Sequence, residues 1–209
     1  MVSKFFESKP VERLLGKGIA AKNLTDDILG KALDAINVYG QTKLFFEIAH
    51  EILKEWKLYG RTKRLDSTSI TVCGDYDNGD SEYDVTYGYS KDGHPDMKQF
   101  MLNLATTGGA DMPFWYEMKD GNSSDKTTFK ESAIEITKNL QKEIKDGIAE
   151  IHVSDSALYT DENLKAMENM KWLTRVPESI KEAKVLLEES SPIDSMRVLN
   201  ENYSYSAYS

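Results

Sequence analysis

The chain has one cysteine, three histidines and no long apolar run, and each of these shortages excludes a class of protein. With Cys73 alone, neither an internal disulfide nor a cysteine-based zinc or iron–sulfur site can form. A membrane-spanning helix needs roughly 18 consecutive apolar residues, and no such run is present. The first residues lack the apolar core and cleavage site of a secretory signal. We therefore expect a cytoplasmic protein without membrane contact.

Motifs of several other functional classes are also missing. His50, His94 and His152 are scattered, without a paired-histidine metal motif or the nucleophile–base spacing of a hydrolase triad. The acidic stretch 75–84 resembles part of a calcium-binding loop, but its glycine comes one place early and Thr86 occupies the position of the bidentate glutamate. This stretch is better explained as a solvated hairpin tip.

The charge balance is acidic, with 26 Lys and Arg against 35 Asp and Glu and a net charge of −9. Nucleic-acid-binding proteins usually have a basic surface, so this balance argues against that class. The acid is concentrated, however, because five carboxylates lie within residues 75–84, and a small basic cluster, residues 61–64, precedes them. The net charge therefore weakens a nucleic-acid function without excluding it.

Helical periodicity dominates residues 1–60. Thr25 with Asp26 and Asp27 predicts a helix start, and Gly40 predicts its end. A second helix is predicted from Thr42 to about Gly60. Each has a single apolar stripe, which for the first consists of Leu29, Ala32, Leu33 and Ile36. The pair is therefore expected to pack on another part of the chain.

Strand patterns begin at Leu65. LDSTSITV and DVTYGYS predict two strands joined by a hairpin at Asn78-Gly79. KQFMLNLATT and MPFWYEMKD predict a second hairpin around Gly108-Gly109. Both pairs would be antiparallel.

Helices and strands alternate in the remainder. A helix is predicted from Thr128, which has capping-box spacing with Glu131, to Gly147. The strand AEIHVSD, a helix entered at Thr160, the strand KWLTRVP and a helix over 178–189 follow, and the tyrosine-rich tail looks like a strand without a partner. This layout predicts a mixed α/β fold of the RNase H-like type. The expected division is an α-helical segment over 1–60, a partial core over 61–189 and a poorly ordered start of an insertion over 190–209.

Two aspartates stand out because an unpaired carboxylate is costly inside an apolar strand. Asp66 lies in LDSTSITV, and Asp155 closes the strand Ile151–Val153. If the two side chains meet at the end of a sheet, their repulsion favours a cation between them, and hard oxygen ligands suit Mg²⁺ or Mn²⁺. Alternatively, Asp66 is a simple turn residue and Asp155 caps the segment SALYT.

The order of motifs is more specific than any one of them. LDSTSITV, TYGYSKDGHPDMKQF, KDGNSSDKT, VSDSALYTDENL and KWLTRVP follow one another. In this order they resemble the insertion-sequence transposases with an RNase H-like DDE core, in the subgroup with GYSKD and DGNxSD blocks. The resemblance extends to the preceding helices, FFESKPVERLLG and LTDDILGKALD.

This resemblance implies that Asp66 and Asp155 are the first two of three acidic ligands for Mg²⁺ or Mn²⁺, which promote cleavage and strand transfer at the element's ends. It further implies supporting or DNA-binding roles for Asn122, Asp125, Lys126 and Arg175. The DGN block is equally explained as a turn before a helix. His94 stands where the subgroup pattern has Arg, which puts a basic contact there in doubt.

The third acidic ligand of such transposases follows a β-rich insertion, and the only late candidate, Glu201, lacks the expected helical setting. We therefore expect a chain truncated at both ends and inactive alone. The expected partners are transposon-end DNA and another copy or the full-length transposase as a dimer. The alternative is a non-catalytic relic that binds DNA or intact transposase as an inhibitor.

Overall fold

The structure is a computed structural model that describes residues 2–76, 81–91, 93–143, 151–188, 197–200 and 203–205. The α-helices in these residues are α1 Val2–Phe6, α2 Val11–Leu15, α3 Asp26–Tyr39, α4 Gln41–Glu55, α5 Asp125–Glu143, α6 Asp161–Ala166 and α7 Lys181–Glu188. The strands are β1 Thr62–Val72, β2 Lys98–Thr107, β3 Pro113–Lys119, β4 Ile151–Ser154, β5 Lys171–Thr174, β6 Arg197–Asn200 and β7 Tyr203–Tyr205. Within the described part, no helix combines the length and apolarity needed to cross a bilayer.

The main sheet has the order β3-β2-β1-β4-β5. β1 pairs antiparallel with β2, and β2 pairs antiparallel with β3. β4 and β5 continue the sheet on the other side of β1 in parallel. A three-stranded meander followed by parallel strands that arrive through helices is the RNase H-like arrangement. The fold class expected from the sequence is therefore confirmed.

α3 begins and ends at the expected residues, whereas α4, Gln41–Glu55, ends five residues before the expected Gly60. The Thr25 hydroxyl accepts a hydrogen bond from the Ile28 amide at 3.3 Å, and Gly40, at φ 99°, follows the last turn of α3. α4 buries Phe46 and Leu53 against the sheet. The apolar stripe of α3 does not become core, however, since Leu33 remains 66% exposed.

The expected hairpin between LDSTSITV and DVTYGYS is wrong. β1 pairs instead with β2 over ten residue pairs, and the DVTYGYS segment contributes only an isolated bridge from Thr86 to Gln99. β2 alternates buried and half-buried residues along its whole length, so it offers a longer pairing surface than a segment interrupted by Gly88. The proposed turn residues Asn78 and Gly79 lie outside the described residues.

Two further boundaries differ from expectation. α5 begins at Asp125, so Thr128 is a buried residue of its first turn, and its hydroxyl donates to the Ser124 carbonyl at 3.3 Å. The predicted helix end at Gly147 lies outside the described residues. In the tail, β6 and β7 pair antiparallel, so the expectation of a strand without a partner is wrong for these two segments.

The core lies on one face of the sheet, beneath α4 and α5. Leu65, Ala105 and Trp115 occupy matching positions in β1, β2 and β3 on this face. A register shift after Ala105 allows the adjacent Phe114 and Trp115 both to be buried. The remainder of the core is contributed by helices, chiefly by Leu53, Ile136, Leu140, Leu158 and Met167.

A buried polar group lies beside this core, where β1 pairs with β4. Lys63 is 1% exposed, and its Nζ donates to the Tyr59 carbonyl at 3.1 Å. His152 is opposite Lys63 in the parallel register, and its Nε2 lies 3.0 Å from the Thr137 hydroxyl. Burial, assisted by the Lys63 charge, lowers the pKa of His152 to about 4. The imidazole is therefore neutral in the folded protein near pH 7.

This lowered pKa predicts acid-sensitive stability. An unfolded His152 takes up a proton near pH 6.5 but the folded one only near pH 4, so stability is full above pH 6.5 and falls as the pH drops toward 4. At pH 5 the expected loss from this residue is about 2 kcal/mol. The measurement is urea unfolding of the wild type and His152→Gln at pH 7.5 and pH 5. An equal loss in both proteins would contradict the assignment.

Candidate active site

Asp66 and Asp155 both lie just past the point where the pairing between β1 and β4 ends. The parallel register matches Arg64 with Val153, and its continuation by two residues matches Asp66 with Asp155. Neighbouring strands lie about 4.8 Å apart, within the reach of two carboxylates sharing one cation. Both side chains are exposed, so the cost of burying a charge does not apply to either residue. The sequence argument from burial was therefore wrong, and the meeting of the two carboxylates stays a prediction.

Each carboxylate uses Oδ1 for a backbone amide. Asp66 Oδ1 accepts from the Ser67 amide at 2.8 Å, and Asp155 Oδ1 accepts from the Ala157 amide at 2.9 Å. Asp155 thus caps the 3-10 helix Ser156–Leu158, as the alternative interpretation of this residue expected. Capping and cation binding are compatible, because the hydrogen bonds described for both carboxylates use Oδ1, and a carboxylate has a second oxygen for a hard cation.

The last residue of β5, Thr174, holds the Asp155 backbone in place. The Thr174 hydroxyl donates to the Asp155 carbonyl. Arg175 follows directly, and its guanidinium lies 3.4 Å from the Ser156 hydroxyl. Arg175 is exposed, so its charge is available to an anion next to the carboxylates. A cavity of about 420 Å³ opens beside Asp155, between the 3-10 helix and the turn around Pro177.

The DGN block forms the turn before α5. Asp120 Oδ1 accepts from the Asp84 amide at 2.7 Å, and the Asp120 carbonyl accepts from the Ser123 amide at 2.9 Å. Asn122 is exposed and lines a cavity together with Ala157, the residue whose amide binds Asp155. Asn122 therefore lies at the same end of the sheet as the two aspartates. The side chains of Asp125 and Lys126, also predicted here, lie outside the described part of the structure.

Gly121 is required by close packing between this turn and β2. A Cβ at this position would lie 2.1 Å from the Gln99 carbonyl oxygen and 2.5 Å from that of Thr86. Gly88 approaches from the other side, and a Cβ there would lie 1.9 Å from the Gly121 carbonyl oxygen. Only glycine fits at both positions, so the GYSKD and DGN blocks are in direct backbone contact.

Lys91 of the GYSKD block was not selected from the sequence. Its Nζ donates to the Ser67 carbonyl at 2.6 Å, one residue from Asp66, and its amide donates to the Ser69 hydroxyl at 3.2 Å. It lines the same cavity as Asn122. No periodicity marks this lysine in the sequence, because it lies in an irregular segment. Only its place in the GYSKD block could have pointed to it.

The two carboxylates are ligands of the kind that a divalent cation prefers, but two ligands are few for such a site. Two exposed carboxylates on neighbouring strands are oxygen ligands of the type that Mg²⁺ and Mn²⁺ prefer. In the part of the chain that is described, no group of three or more His, Cys, Asp or Glu side chains is placed to hold a metal. Any further acidic ligand must come from outside those residues.

Comparison with known proteins gives a limited match. Residues 1–50 match the family described as "Domain of unknown function (DUF4277)". This range contains α1, α2, α3 and most of α4. No curated protein matches the chain.

Several solved structures are similar at low identity. The catalytic domain of Mos1 mariner transposase is 16% identical with a TM-score of 0.37, over 66% of this chain and 61% of that one. The Mos1 transposase paired-end complex with left transposon end is 12% identical with a TM-score of 0.37, over 90% and 66%. The piggyBac transposase synaptic complex with hairpin DNA is 13% identical with a TM-score of 0.39, over 66% and 28%. This chain therefore spans about three fifths of the Mos1 catalytic domain. At such low scores, function has to be inferred from the residues of this chain.

The backbone contact between the two blocks predicts that Gly121→Ala is destabilising. Its Cβ meets two carbonyl oxygens that cannot rotate away, so we expect a loss of roughly 1–3 kcal/mol in the free energy of unfolding. Gly30→Ala is the matched control, because nothing lies within 4 Å of a Cβ at that position in α3 and alanine favours a helix by roughly 0.5–1 kcal/mol. Urea unfolding measures both, and a Gly121→Ala protein as stable as the wild type would contradict the close contact.

Proposed function

We propose that this chain is part of the catalytic core of a DDE-type transposase of the insertion-sequence kind. The observation that carries the proposal is the β1–β4 register, whose continuation by two residues matches Asp66 with Asp155 past the end of β4 in an RNase H-like sheet. Two exposed carboxylates in this position have no role in the core. Metal-dependent DNA cleavage and strand transfer would give these two carboxylates a role.

Asp66 and Asp155 are proposed to hold Mg²⁺ or Mn²⁺ through their Oδ2 atoms. Divalent ions bound by such carboxylates supply an activated attacking oxygen and stabilise the leaving oxygen in phosphoryl transfer. The chain's own contribution is positional. The Ser67 and Ala157 amides fix the two carboxylates, and Thr174 fixes the backbone of Asp155.

Transposon-end DNA is the proposed substrate. Phosphate binding needs positive charge, and the acidic chain supplies it locally through Arg175 beside Asp155 and Lys91 beside Asp66. Asn122 adds an exposed amide between them. Asp125 and Lys126, in the first turn of α5, remain proposed supporting residues on the basis of the DGNxSD block alone.

A third acidic ligand is expected from outside the described residues, because within them the site has two carboxylates. With these two carboxylates alone, the site is proposed to bind the ion weakly and to cleave DNA slowly. Loss of one ligand from such a site is expected to cost on the order of 10²–10³ in rate.

The metal proposal predicts that Asp66→Asn and Asp155→Asn each weaken Mn²⁺ binding by at least about tenfold, because each removes a charged ligand. Isothermal titration calorimetry or Mn²⁺ electron paramagnetic resonance measures the affinity. Asp34→Asn, which removes an exposed carboxylate from α3, is the matched control and should leave the affinity unchanged. Equal Mn²⁺ affinity in all four proteins would refute the site.

Cleavage assays test the activity itself. On terminal-repeat DNA with Mg²⁺, the chain should show slow nicking that is lost in Asp66→Asn. Fast, complete cleavage and strand transfer by the chain alone, abolished by the same substitution, would mean that the chain supplies a third ligand. Mn²⁺ binding through both aspartates without any nicking would leave a metal site but refute the transposase activity of this chain.

A further inference from the structure

Residues 86–91 form a tightly anchored ledge beside the two aspartates. Thr86 exchanges two backbone hydrogen bonds with Gln99, at 3.0 and 2.9 Å. The Gln99 side-chain amide donates to the Tyr89 carbonyl at 3.1 Å and to the Gly121 carbonyl at 2.7 Å. At the end of the ledge, Lys91 is bound to Ser67 and Ser69 of β1. The backbone is therefore held in place along its whole length.

The side chains of this ledge point outward from that fixed backbone. Gly88 is pressed against the Gly121 carbonyl, so the backbone lies flat on the turn before α5. Its two neighbours project away, and the Tyr87 and Tyr89 side chains are 57% and 87% exposed. Two large aromatic rings in this position contribute little to the core, although their backbone is rigidly held. Such an arrangement is typical of a binding surface.

The ledge borders a cavity that also reaches the 3-10 helix after Asp155. The cavity has a volume of about 350 Å³, and its lining includes Tyr89, Lys91, Asn122 and Ala157. Ala157 donates its amide to Asp155, and Lys91 donates to the carbonyl of Ser67, next to Asp66. A group bound between Tyr89 and Lys91 would therefore lie near Ala157, which bonds Asp155, and near Ser67, which follows Asp66.

We infer that Tyr87, Tyr89 and Lys91 bind unpaired nucleotides of single-stranded DNA. Exposed aromatic rings stack on nucleobases of any sequence, and a neighbouring ammonium binds the phosphate. The rings reach a base only when it is unpaired, since the faces of paired bases are covered by their neighbours in the duplex. A frayed or cleaved strand end would supply such bases next to Asp66 and Asp155.

The charge of the chain favours a short single strand over a long duplex. A net charge of −9 weakens contact with a duplex backbone over many phosphates. Stacking does not depend on charge, so a ledge with two rings and one lysine is suited to a few unpaired nucleotides. This inference rests on the proposed function for its biological role, but the binding itself does not require the metal.

Single-strand binding is tested in EDTA by fluorescence anisotropy with a labelled oligodeoxynucleotide of about 12 residues, a length typical of single-strand sites. The wild type should bind it more tightly than a blunt duplex of the same length. Tyr89→Phe should bind normally, because the ring is kept. Tyr89→Leu and Tyr87→Leu should each weaken binding by about fivefold or more. Lys91→Gln should weaken binding and reduce its dependence on salt concentration.

Trp56→Ala is the matched control, since Trp56 is a 72% exposed aromatic residue following α4, away from the ledge. It should bind the single strand normally. Absence of binding by the wild type, equal binding of the duplex, or normal binding by both leucine variants would each overturn the inference.

Different results would refute the metal site and the single-strand binding site. Asp66→Asn and Asp155→Asn should keep single-strand binding in EDTA, because they remove negative charge and leave the ledge intact. If these variants lose Mn²⁺ but the tyrosine variants keep their affinity for the single strand, the ledge is refuted and the metal site stands. If the tyrosine variants lose the single strand but the aspartate variants keep Mn²⁺, the ledge stands and the metal site is refuted.

Discussion

The pairing of β1 with β4 is the constraint on which the rest of the site depends. β1 is paired antiparallel with β2 on one side and parallel with β4 on the other, and the parallel pairing stops after Arg64. Beyond that point β1 is paired with β2 only. Asp66, in β1, and Asp155, directly after β4, are the first exposed aspartates past the end of the β1–β4 pairing. A shift of one residue in this register would turn one carboxylate to the opposite face, since side chains alternate along a strand.

The same end of the sheet is assembled from backbone contacts. The Gly88–Gly121 approach joins two irregular segments that are distant in sequence, and the Gln99 amide bonds both of them. Through these contacts Tyr89, Lys91 and Asn122 come to line one cavity with Ala157, whose amide binds Asp155. Arg175, on the segment after β5, lies near Ser156, the residue after Asp155.

Most regular elements could be predicted from local sequence patterns. The Thr25 cap, the glycine after α3, the hairpin of β2 and β3, and the Thr160 cap of α6 all depend on residues within a few positions of one another. The DVTYGYS segment could not be predicted in this way. Its tyrosines have strand propensity, but β2 offered β1 a longer partner, and strand pairing is decided by competition between distant segments.

The sequence by itself determined the order of the longer helices and of the five strands of the main sheet, the mixed α/β class and the identity of the two aspartates as unusual residues. Only the tertiary structure decided that these aspartates are exposed, that they follow the end of the β1–β4 pairing, and that Lys91 bonds the residue after Asp66. Composition and periodicity report which face of an element is apolar. They do not report which distant segments touch, because that depends on strand register and on close backbone contacts such as the one between Gly88 and Gly121.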